Sequence, residues 1–333
     1  MTAQPRRPKI VCLPGDCIGP EVMAVATGVL RELAPDLELE EHLFGAAAIR
    51  ATGDSLPAET LEACRAADAV LKAPIGHPEF DAAEVRPEQG MLRLRAELDV
   101  YANLRPASMG RIDLLIVREL VGGLYFGTRG VREDGTVFDT CEYHPSQVER
   151  IARRGFEFAR ARRAHLTSVD KANVLETSRL WRRVVREVAS EYPDVEVEDM
   201  LVDNAAMQLA SNPAQFDVIV TENLFGDILS DLAAAMTGGL GLAPSASLGD
   251  SGPGVFEPVH GSAPDIAGRG IANPAAMLRS AALMLDHGLA RPDEARVLEA
   301  AVDVALRETP TPDLGGSATT IQFEDTVISA LAS

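Results

Sequence analysis

The chain has few of the residues that hold small, cross-linked domains together. It contains four cysteines and one tryptophan in 333 residues, and no two cysteines follow the Cys-x-x-Cys spacing. Cysteines this few and this scattered exclude a disulfide framework and disfavour a structural zinc site. Such cysteine usage favours a reducing compartment, and we therefore expect a cytoplasmic protein.

Long apolar segments are missing as well. The basic stretch Met1–Lys9 is followed only by Ile10–Leu13 before Pro14, which is too short for the apolar core of a signal peptide. The uncharged run Leu232–Gly249 contains four glycines and a proline, so it does not read as a membrane-spanning helix. We therefore expect no membrane association.

Three common active-site signatures do not occur in the sequence. There is no G-x-G-x-x-G fingerprint, no P-loop and no G-x-S-x-G elbow. Their absence disfavours a Rossmann dehydrogenase, a P-loop NTPase and an α/β-hydrolase, because each of those folds builds its site on the corresponding glycine-rich turn.

Positive charge is scarce relative to negative charge. The chain has 31 Lys and Arg against 50 Asp and Glu, a formal net charge of −19. This balance disfavours nucleic acids and anionic membranes as partners, because both would be repelled. It leaves an anionic small-molecule substrate open, since a few local arginines can outweigh the global field.

Short apolar runs alternate with amphipathic stretches along the chain, which predicts an α/β protein with helices layered on a sheet. The predicted strands are Lys9–Leu13, Ala69–Lys72, Asp113–Arg118, Leu124–Phe126, His165–Val169 and Asp217–Thr221. The predicted helices are Pro20–Leu33, Leu92–Leu98, Pro145–Arg163, Asn173–Ser190 and Asp227–Met236, and a stop is predicted at Asn103–Pro106. In the helix Asn173–Ser190, one apolar stripe should contain Val174, Trp181, Val185 and Val188.

Two carboxylates follow the strand Asp217–Thr221 at helical spacing. Asp227 and Asp231 lie one turn apart on one face, where like charges repel unless a cation sits between them. Hard oxygen ligands suit Mg²⁺ or Mn²⁺, and Asp203 is a natural third ligand. The alternative, of about equal weight, is a helix N-terminus at which the two carboxylates only interact favourably with the positive end of the helix dipole.

Two further residues are candidates for proton transfer. Lys171 ends a strand just before a helix, where α/β proteins collect active-site residues, and it could act as a base. By itself, a surface lysine paired with Asp170 is the more ordinary reading. Tyr125, one of four tyrosines, is either a proton donor or a packed core residue.

Arginines and a glycine-rich loop could bind anionic groups. Arg95, Arg105 and Arg118 stand at the ends of elements, where they either clamp carboxylates or are merely solvated. The polar loop Glu257–Asn273 could cradle a pyrophosphate and a ribose through its backbone amides and acids. Its composition is also that of any long loop.

Long motifs in a fixed order connect these residues to a known family. They are LPGDCIGPEV at residues 13–22, VDKANVLE at 169–176, NLFGDILSD at 223–231 and EPVHGSAPDIAG at 257–268. Over essentially the whole chain this order resembles the β-decarboxylating dehydrogenases, the isocitrate and isopropylmalate dehydrogenase family. RELVGGLYFG at residues 118–127 is similar to the isopropylmalate branch. Cys17 stands where the family usually has glycine.

The resemblance implies a role for each matching residue. Arg95, Arg105 and Arg118 would bind the malate carboxylates, while Asp203, Asp227 and Asp231 would hold Mg²⁺ or Mn²⁺. Lys171 would remove the hydroxyl proton, Tyr125 would protonate the enolate, and Asp203 would serve the catalytic centre. The residues implied in binding the dinucleotide are Asn173, Glu257, His260, Gly261, Ser262, Ala263, Asp265, Ile266 and Asn273. NAD is favoured over NADP, because Asp265 would repel a 2′-phosphate.

The resemblance also implies a fold and an assembly. The family fold is not a Rossmann fold and has two domains around a central cleft. A discontinuous cofactor-binding domain would comprise residues 1–100 and 238–333, and a central domain for dimerisation, metal and substrate would comprise residues 101–237. The homodimer would share its active sites, with Lys171 and one aspartate given by the partner subunit.

Substrate choice would depend on a small, mostly apolar set of residues. The positions that match those facing the substrate's C3 group are Glu88, Met91, Leu92 and Val174. They favour an apolar substituent, hence oxidative decarboxylation of 3-isopropylmalate in leucine biosynthesis. The same chemistry on another 3-alkylmalate, D-malate or tartrate remains open, as do an inactive family member that serves as a binding protein and a non-redox metal hydrolase.

Overall fold

The computed structural model describes residues 6–332, which form two compact units. Of the described residues, 6–99 and 240–332 form the first unit, and Val100–Gly239 form the second. The chain therefore leaves the first unit once and returns to it once. None of the described helices is long and apolar enough to cross a membrane.

Strands and helices alternate through both units, as the α/β prediction requires. The strands are β1 (Lys9–Leu13), β2 (Glu38–Glu41), β3 (Ala69–Lys72), β4 (Ala102–Met109), β5 (Ile112–Glu119), β6 (Arg129–Val131), β7 (Val137–Asp139), β8 (His165–Asp170), β9 (Glu196–Leu201), β10 (Val218–Thr221), β11 (Pro244–Leu248) and β12 (Gly254–Pro258). The helices are α1 (Gly19–Leu33), α2 (Ala46–Thr52), α3 (Ala58–Ala66), α4 (Pro87–Glu97), α5 (Pro145–Ala161), α6 (Glu176–Ala189), α7 (Val202–Ser211), α8 (Asn223–Met236), α9 (Ala275–Leu283), α10 (Pro292–Glu308) and α11 (Thr320–Leu331).

The sheet of the first unit runs in the order β2-β1-β3-β12-β11. β1 is parallel to β2 and β3, β12 is parallel to β3, and β11 runs antiparallel to β12. Since the parallel strands β1, β3 and β12 end at the same edge, this edge collects the turn after β1, the segment after β3 and the loop after β12.

The sheet of the second unit runs in the order β4-β5-β10-β8-β9. Only the β4–β5 pair is antiparallel, so the carboxyl ends of β5, β10 and β8 lie side by side. Arg118, Glu222 and Lys171 stand at or just after these ends. The buried residues Ile116, Ile219 and Leu229 anchor the strands and helix α8 in one apolar core.

Four sequence-based expectations in the second unit are wrong, and the first concerns helix α8, which begins at Asn223 and not at Asp227. The predicted stop at Asn103–Pro106 lies within β4, because the fixed φ of proline is compatible with an extended strand. The predicted strand Leu124–Phe126 is instead a short 3₁₀ turn, Gly123–Tyr125, because Gly123 has φ +71°. Helix α6 begins at Glu176 and not at Asn173, so Val174 lies outside its stripe and is 61% exposed.

Candidate active site

Helix α8 places two carboxylates at the carboxyl edge of the second sheet. Glu222 precedes the helix, and its carboxylate accepts hydrogen bonds from the backbone N–H groups of Leu224 and Phe225. This cap satisfies donors that would otherwise be unpaired at the helix start. One turn further on, Asp227 and Asp231 follow at the predicted four-residue spacing.

Arg118 is a buried part of this edge and not a solvated strand end. It is 2% exposed, and its Nε and Nη2 atoms lie 3.1 and 2.8 Å from the Asn223 side-chain oxygen. Its Nη1 atom forms an ion pair with Asp227. A buried guanidinium in such a network has a fixed direction, which suits recognition of a carboxylate.

Tyr125 points at the same carboxylate. Its hydroxyl donates a hydrogen bond to Asp227 Oδ2 at 2.9 Å, and the Arg118 guanidinium lies 5.6 Å from its ring centroid. Burial and the neighbouring Asp227 raise the pKa of the Tyr125 hydroxyl. The phenol therefore keeps its proton at neutral pH and is available as a donor.

Arg105 lies against both helical carboxylates. Its Nη1 atom lies 3.3 Å from Asp231 Oδ1 and its Nη2 atom 3.8 Å from Asp227 Oδ1. Burial raises the pKa of Asp231, as does Asp227, while Arg105 opposes the shift. For Asp227, burial works upward, but Arg118 and its other partners hold its pKa below the usual range.

Lys171 directly follows strand β8 and pairs with Asp203. Its Nζ lies 2.5 Å from Asp203 Oδ1, and this contact lowers the pKa of the Asp203 carboxyl. The ordinary reading of Lys171 as the partner of Asp170 is wrong, since Asp170 is held by both Nε and Nη2 of Arg182. The candidate base, Lys171, is thus ion-paired with a candidate metal ligand, Asp203.

The donor set suits a divalent cation. Asp227 and Asp231 supply hard carboxylate oxygens, are partly exposed, and repel each other on one helix face. Within residues 6–332, no group of three His, Cys, Asp or Glu side chains is close enough to hold a metal ion. Asp203 therefore stands apart from the other two aspartates in the single chain, together with Lys171.

In the first unit, Glu257 joins two cations at the end of β12. Its carboxylate lies 2.7 Å from Lys72 Nζ and 3.1 Å from Arg95 Nη2. Although burial opposes ionisation, Lys72 and Arg95 lower the pKa of Glu257 to about 2. The Arg95 Nε atom is buried and has no hydrogen-bond partner among the described residues, so this arginine keeps an unused donor.

Sequence reasoning missed Lys72 and Asn223. Lys72 closes the apolar strand β3 much as Arg118 stands near the end of β5, and this shared position was the available signal. Asn223 gave no such signal, since its role depends on accepting hydrogen bonds from Arg118 and donating to the carbonyls of Leu120 and Gly122.

The loop after Glu257 is anchored at two points. The Ser262 hydroxyl donates to the carbonyl of Gly76 at 2.6 Å, and its backbone carbonyl accepts from Ile18 N–H at 3.1 Å. Further along, the Asn273 amide donates to Asp313 Oδ2 at 3.0 Å. These bonds fix the shape of the loop before any ligand binds.

Next to the first anchor and between the two, the loop offers groups that could bind a ligand. The Nε2 atom of His260 is buried with no hydrogen-bond partner in the described part of the chain, and burial lowers the pKa of this imidazole. Asp265 is exposed, Ile266 is half-buried, and the space where Gly261 would carry a Cβ is empty. Ala263 has φ +43°, which turns the backbone here. A neutral imidazole, a carboxylate and open backbone suit a nucleotide.

The turn after β1 borders this loop. Asp16 accepts hydrogen bonds from the backbone N–H groups of Ala46 and Gly76 at 2.8 and 2.9 Å. The next residue, Cys17, has φ +54°, a left-handed conformation that favours glycine. Its sulfur lies 3.7 Å from the carbonyl oxygen of Gly76, and burial raises the pKa of its thiol.

The four residues expected to choose the substrate divide between the units. Glu88, Met91 and Leu92 share one face of α4 with Arg95, since they follow helical spacing. Met91 is buried and Leu92 half-buried, whereas Glu88 is exposed. Val174 and its neighbour Asn173 lie exposed in the turn before α6 of the second unit.

Comparison with known proteins adds independent findings. The model of the isocitrate/isopropylmalate dehydrogenase family matches residues 9–327. The 3-isopropylmalate dehydrogenase of Zymomonas mobilis is 52% identical and aligns with 97% of this chain and 99% of its own. That of Deinococcus radiodurans is 50% identical, with 98% of each chain covered. The crystal structure of isocitrate dehydrogenase from Methylococcus capsulatus matches with a TM-score of 0.90 at 38% identity, covering 98% of this chain and 100% of that one.

Proposed function

The chain belongs to the isocitrate/isopropylmalate dehydrogenase family, and from this premise we propose that it oxidises and decarboxylates 3-isopropylmalate to 4-methyl-2-oxopentanoate and CO₂, a reaction of leucine biosynthesis. The observation that carries the proposal is the identity of 52% and 50% to two 3-isopropylmalate dehydrogenases over nearly the full length of each chain. The chain is accordingly a decarboxylating dehydrogenase that takes a small-molecule substrate.

We propose NAD as the dinucleotide. The exposed Asp265 carboxylate has no ion pair in the described chain, so it is open to the two hydroxyls of a ribose and would repel a 2′-phosphate. His260, Gly261, Ser262, Ala263, Ile266 and Asn273 would complete the cofactor loop, with Glu257 and Asn173 as the remaining proposed contacts.

We propose Mg²⁺ or Mn²⁺ as the metal. Asp227 and Asp231 of one subunit would hold it together with Asp203 of a second copy of the chain. When bound, the dinucleotide accepts a hydride, and the cation polarises the oxygens of the hydroxy acid. Arg95, Arg105 and Arg118 bind the carboxylates and hold the substrate in one orientation. The entropy of orientation is therefore lost on binding and does not add to the barrier of the chemical step.

Proton transfers are assigned to Lys171 and Tyr125. Lys171 takes the hydroxyl proton as C2 loses its hydride, giving a 2-oxo acid. This acid loses its β-carboxylate as CO₂, and the electron pair of the broken bond forms an enolate. Tyr125, protonated at neutral pH, returns a proton to C3, and Lys171 helps to restore it.

Substrate preference would follow from Glu88, Met91, Leu92 and Val174. Two of these four side chains are apolar and at least half-buried, and none is a Ser, Thr or Lys that would bind a third carboxylate. An alkyl substituent is therefore preferred. One methylene more or less changes transition-state binding by only about 1–3 kcal/mol, so related 3-alkylmalates are the nearest competing substrates.

We propose that the active form is a homodimer that shares its sites. Helices α7 and α8 pack together and expose Met207 and Ile228, which are 59% and 58% accessible. Exposed apolar side chains on packed helices are typical of a surface that another subunit covers. In such a dimer the Lys171–Asp203 pair of one subunit would complete the Asp227–Asp231 site of the other.

A substrate panel tests the proposal. Purified protein with NAD and Mg²⁺ is given 3-isopropylmalate, other 3-alkylmalates, D-malate and tartrate, and NADH absorbance is followed. We expect the highest kcat/KM with 3-isopropylmalate. A higher value for D-malate or tartrate would contradict the substrate assignment, and no turnover of any member would favour an inactive relative.

A further inference from the structure

The loop that carries Tyr125 is held by a buried carboxylate to which no role has yet been assigned. Glu119 is the last residue of β5 and is completely buried. Its two oxygens accept hydrogen bonds from the backbone N–H groups of Val121 at 3.0 Å and Gly122 at 2.9 Å. A charged group is costly to bury without such bonds, so this arrangement needs a reason beyond packing.

The opposite side of the same loop is held by Asn223. Its amide donates to the carbonyls of Leu120 and Gly122 at 3.2 and 2.9 Å. Glu119 thus binds the N–H groups of the loop, and Asn223 binds its C=O groups. Both the N–H and the C=O groups of the backbone just before Tyr125 are hydrogen-bonded, which leaves this segment little freedom to shift.

Tyr143 closes the loop from a third direction. A Cβ at Gly122 would lie 2.6 Å from its Cε1 atom, and one at Gly123 would lie 2.5 Å from its hydroxyl oxygen. That hydroxyl also accepts a hydrogen bond from Asn223 N–H at 3.0 Å. The two glycines therefore let the loop approach Tyr143 as closely as its backbone permits.

These contacts form a closed circuit through the proton donor. Arg118 bonds to Asn223 and pairs with Asp227, and Asp227 accepts the Tyr125 hydroxyl bond at 2.9 Å. A shift of the loop would change the distance between Tyr125 and its acceptor without moving Asp227. We propose that Glu119 is a positioning residue. By binding the backbone N–H groups of Val121 and Gly122, it fixes the distance between the Tyr125 hydroxyl and Asp227.

The proposal rests on the proposed function only for its catalytic consequence. The variant Glu119→Gln keeps the size of the side chain, but its amide can accept only one of the two backbone bonds. Glu142→Gln is the matched control, since this nearby carboxylate is exposed and bonds to Thr140. Burial raises the pKa of Glu119 to about 7, so assays at a higher pH keep the wild-type carboxylate ionised.

Two measurements decide the proposal. Hydrogen–deuterium exchange should become faster in a peptide covering residues 120–127 of Glu119→Gln, and kcat should fall about tenfold with little change in KM, because misplacement of a positioned group affects the chemical step. Glu142→Gln should change neither. Unchanged exchange, or wild-type kcat despite faster exchange, would overturn the positioning role.

A second variant covers the case in which Glu119→Gln does not fold. Tyr143→Phe removes the acceptor of the Asn223 N–H bond while keeping the ring, and it should also speed exchange of residues 120–127 and lower kcat. An unchanged loop in this variant would count against the circuit. If the wild-type protein turns over no malate, the proposed function fails, while the exchange data still decide whether Glu119 holds the loop.

Discussion

Single charged residues near the ends of apolar strands carry much of the predicted chemistry. Lys171 and Arg118 stood out in the sequence because a charge interrupts a buried pattern there, and both lie at the same edge of the second sheet. Their partners could not be foreseen, because Asp203 and Asn223 come from distant parts of the chain. Lys72 was missed although it closes an apolar strand in the same way, and the role of Glu119 depends on contacts that form only in the folded chain.

The general base can be tested at the residue scale because lysine is rare here. The chain has three lysines, Lys9, Lys72 and Lys171. Lys171→Met should lower kcat by about 10²–10⁴-fold, the usual contribution of a general base, while NAD affinity stays unchanged. Lys9→Met, which removes a partly exposed lysine paired with Glu40, is the control. Near-normal turnover in Lys171→Met would reject the assignment.

Cys17 provides a stability test at the same scale. Its φ of +54° is costly for a residue with a Cβ and free for glycine. Cys17→Gly should therefore leave the free energy of unfolding unchanged or raise it by about 1 kcal/mol, as measured by urea denaturation. A clear loss of stability would show that the thiol contact with Gly76 outweighs the backbone strain.

At the scale of elements, sequence periodicity predicted strands β5, β8 and β10 and helices α5, α6 and α8 of the second unit, and it missed the other strands and helix α7. It failed where tertiary contacts override local signals. The turn Gly123–Tyr125 is apolar and its composition favours a strand, but Gly123 has φ +71° and packs against Tyr143, while Glu119 binds the backbone of Gly122 just before it. Strand β4 contains a proline and was read as a stop, although pairing with β5 keeps it extended.

The two carboxylates of helix α8 lead us to expect that Mg²⁺ binding stabilises the protein. In wild-type protein, Mg²⁺ should raise the melting temperature, because a ligand that binds only the folded state stabilises it by about 2.7 kcal/mol at a hundred times its Kd. Asp231→Asn removes one carboxylate of the like-charged pair and should abolish most of that shift. Asp293→Asn, at an exposed position of α10, should keep it. An equal Mg²⁺ shift in Asp231→Asn would contradict this site.

For the whole molecule, the position of the charged residues is more informative than the net charge. The net charge of −19 disfavours nucleic acid, yet each unit has arginine and lysine side chains near the carboxyl ends of its strands. Part of the negative charge, at Asp203, Asp227 and Asp231, belongs to the proposed metal site. The fold class followed from the alternation of elements, but the two-unit division depends on contacts between the chain ends that no local pattern encodes.

Assembly can be tested directly at this scale. Sedimentation should show a dimer for the wild-type protein, and Ile228→Lys should shift it towards monomer, because a charge on a covered apolar surface is costly to bury. Turnover should fall in parallel, since Lys171 would serve the other subunit. Val297→Lys, at an exposed position of α10, should remain a dimer. A fully active wild-type monomer would contradict the shared site.

The central claim is that one active site couples oxidation to decarboxylation. The most direct test measures NADH and CO₂ from the same sample as 3-isopropylmalate is consumed in the presence of NAD and Mg²⁺. The account predicts that the two products form in equal amounts and that both disappear together in Lys171→Met. NADH without CO₂, or neither product from this substrate, would contradict it.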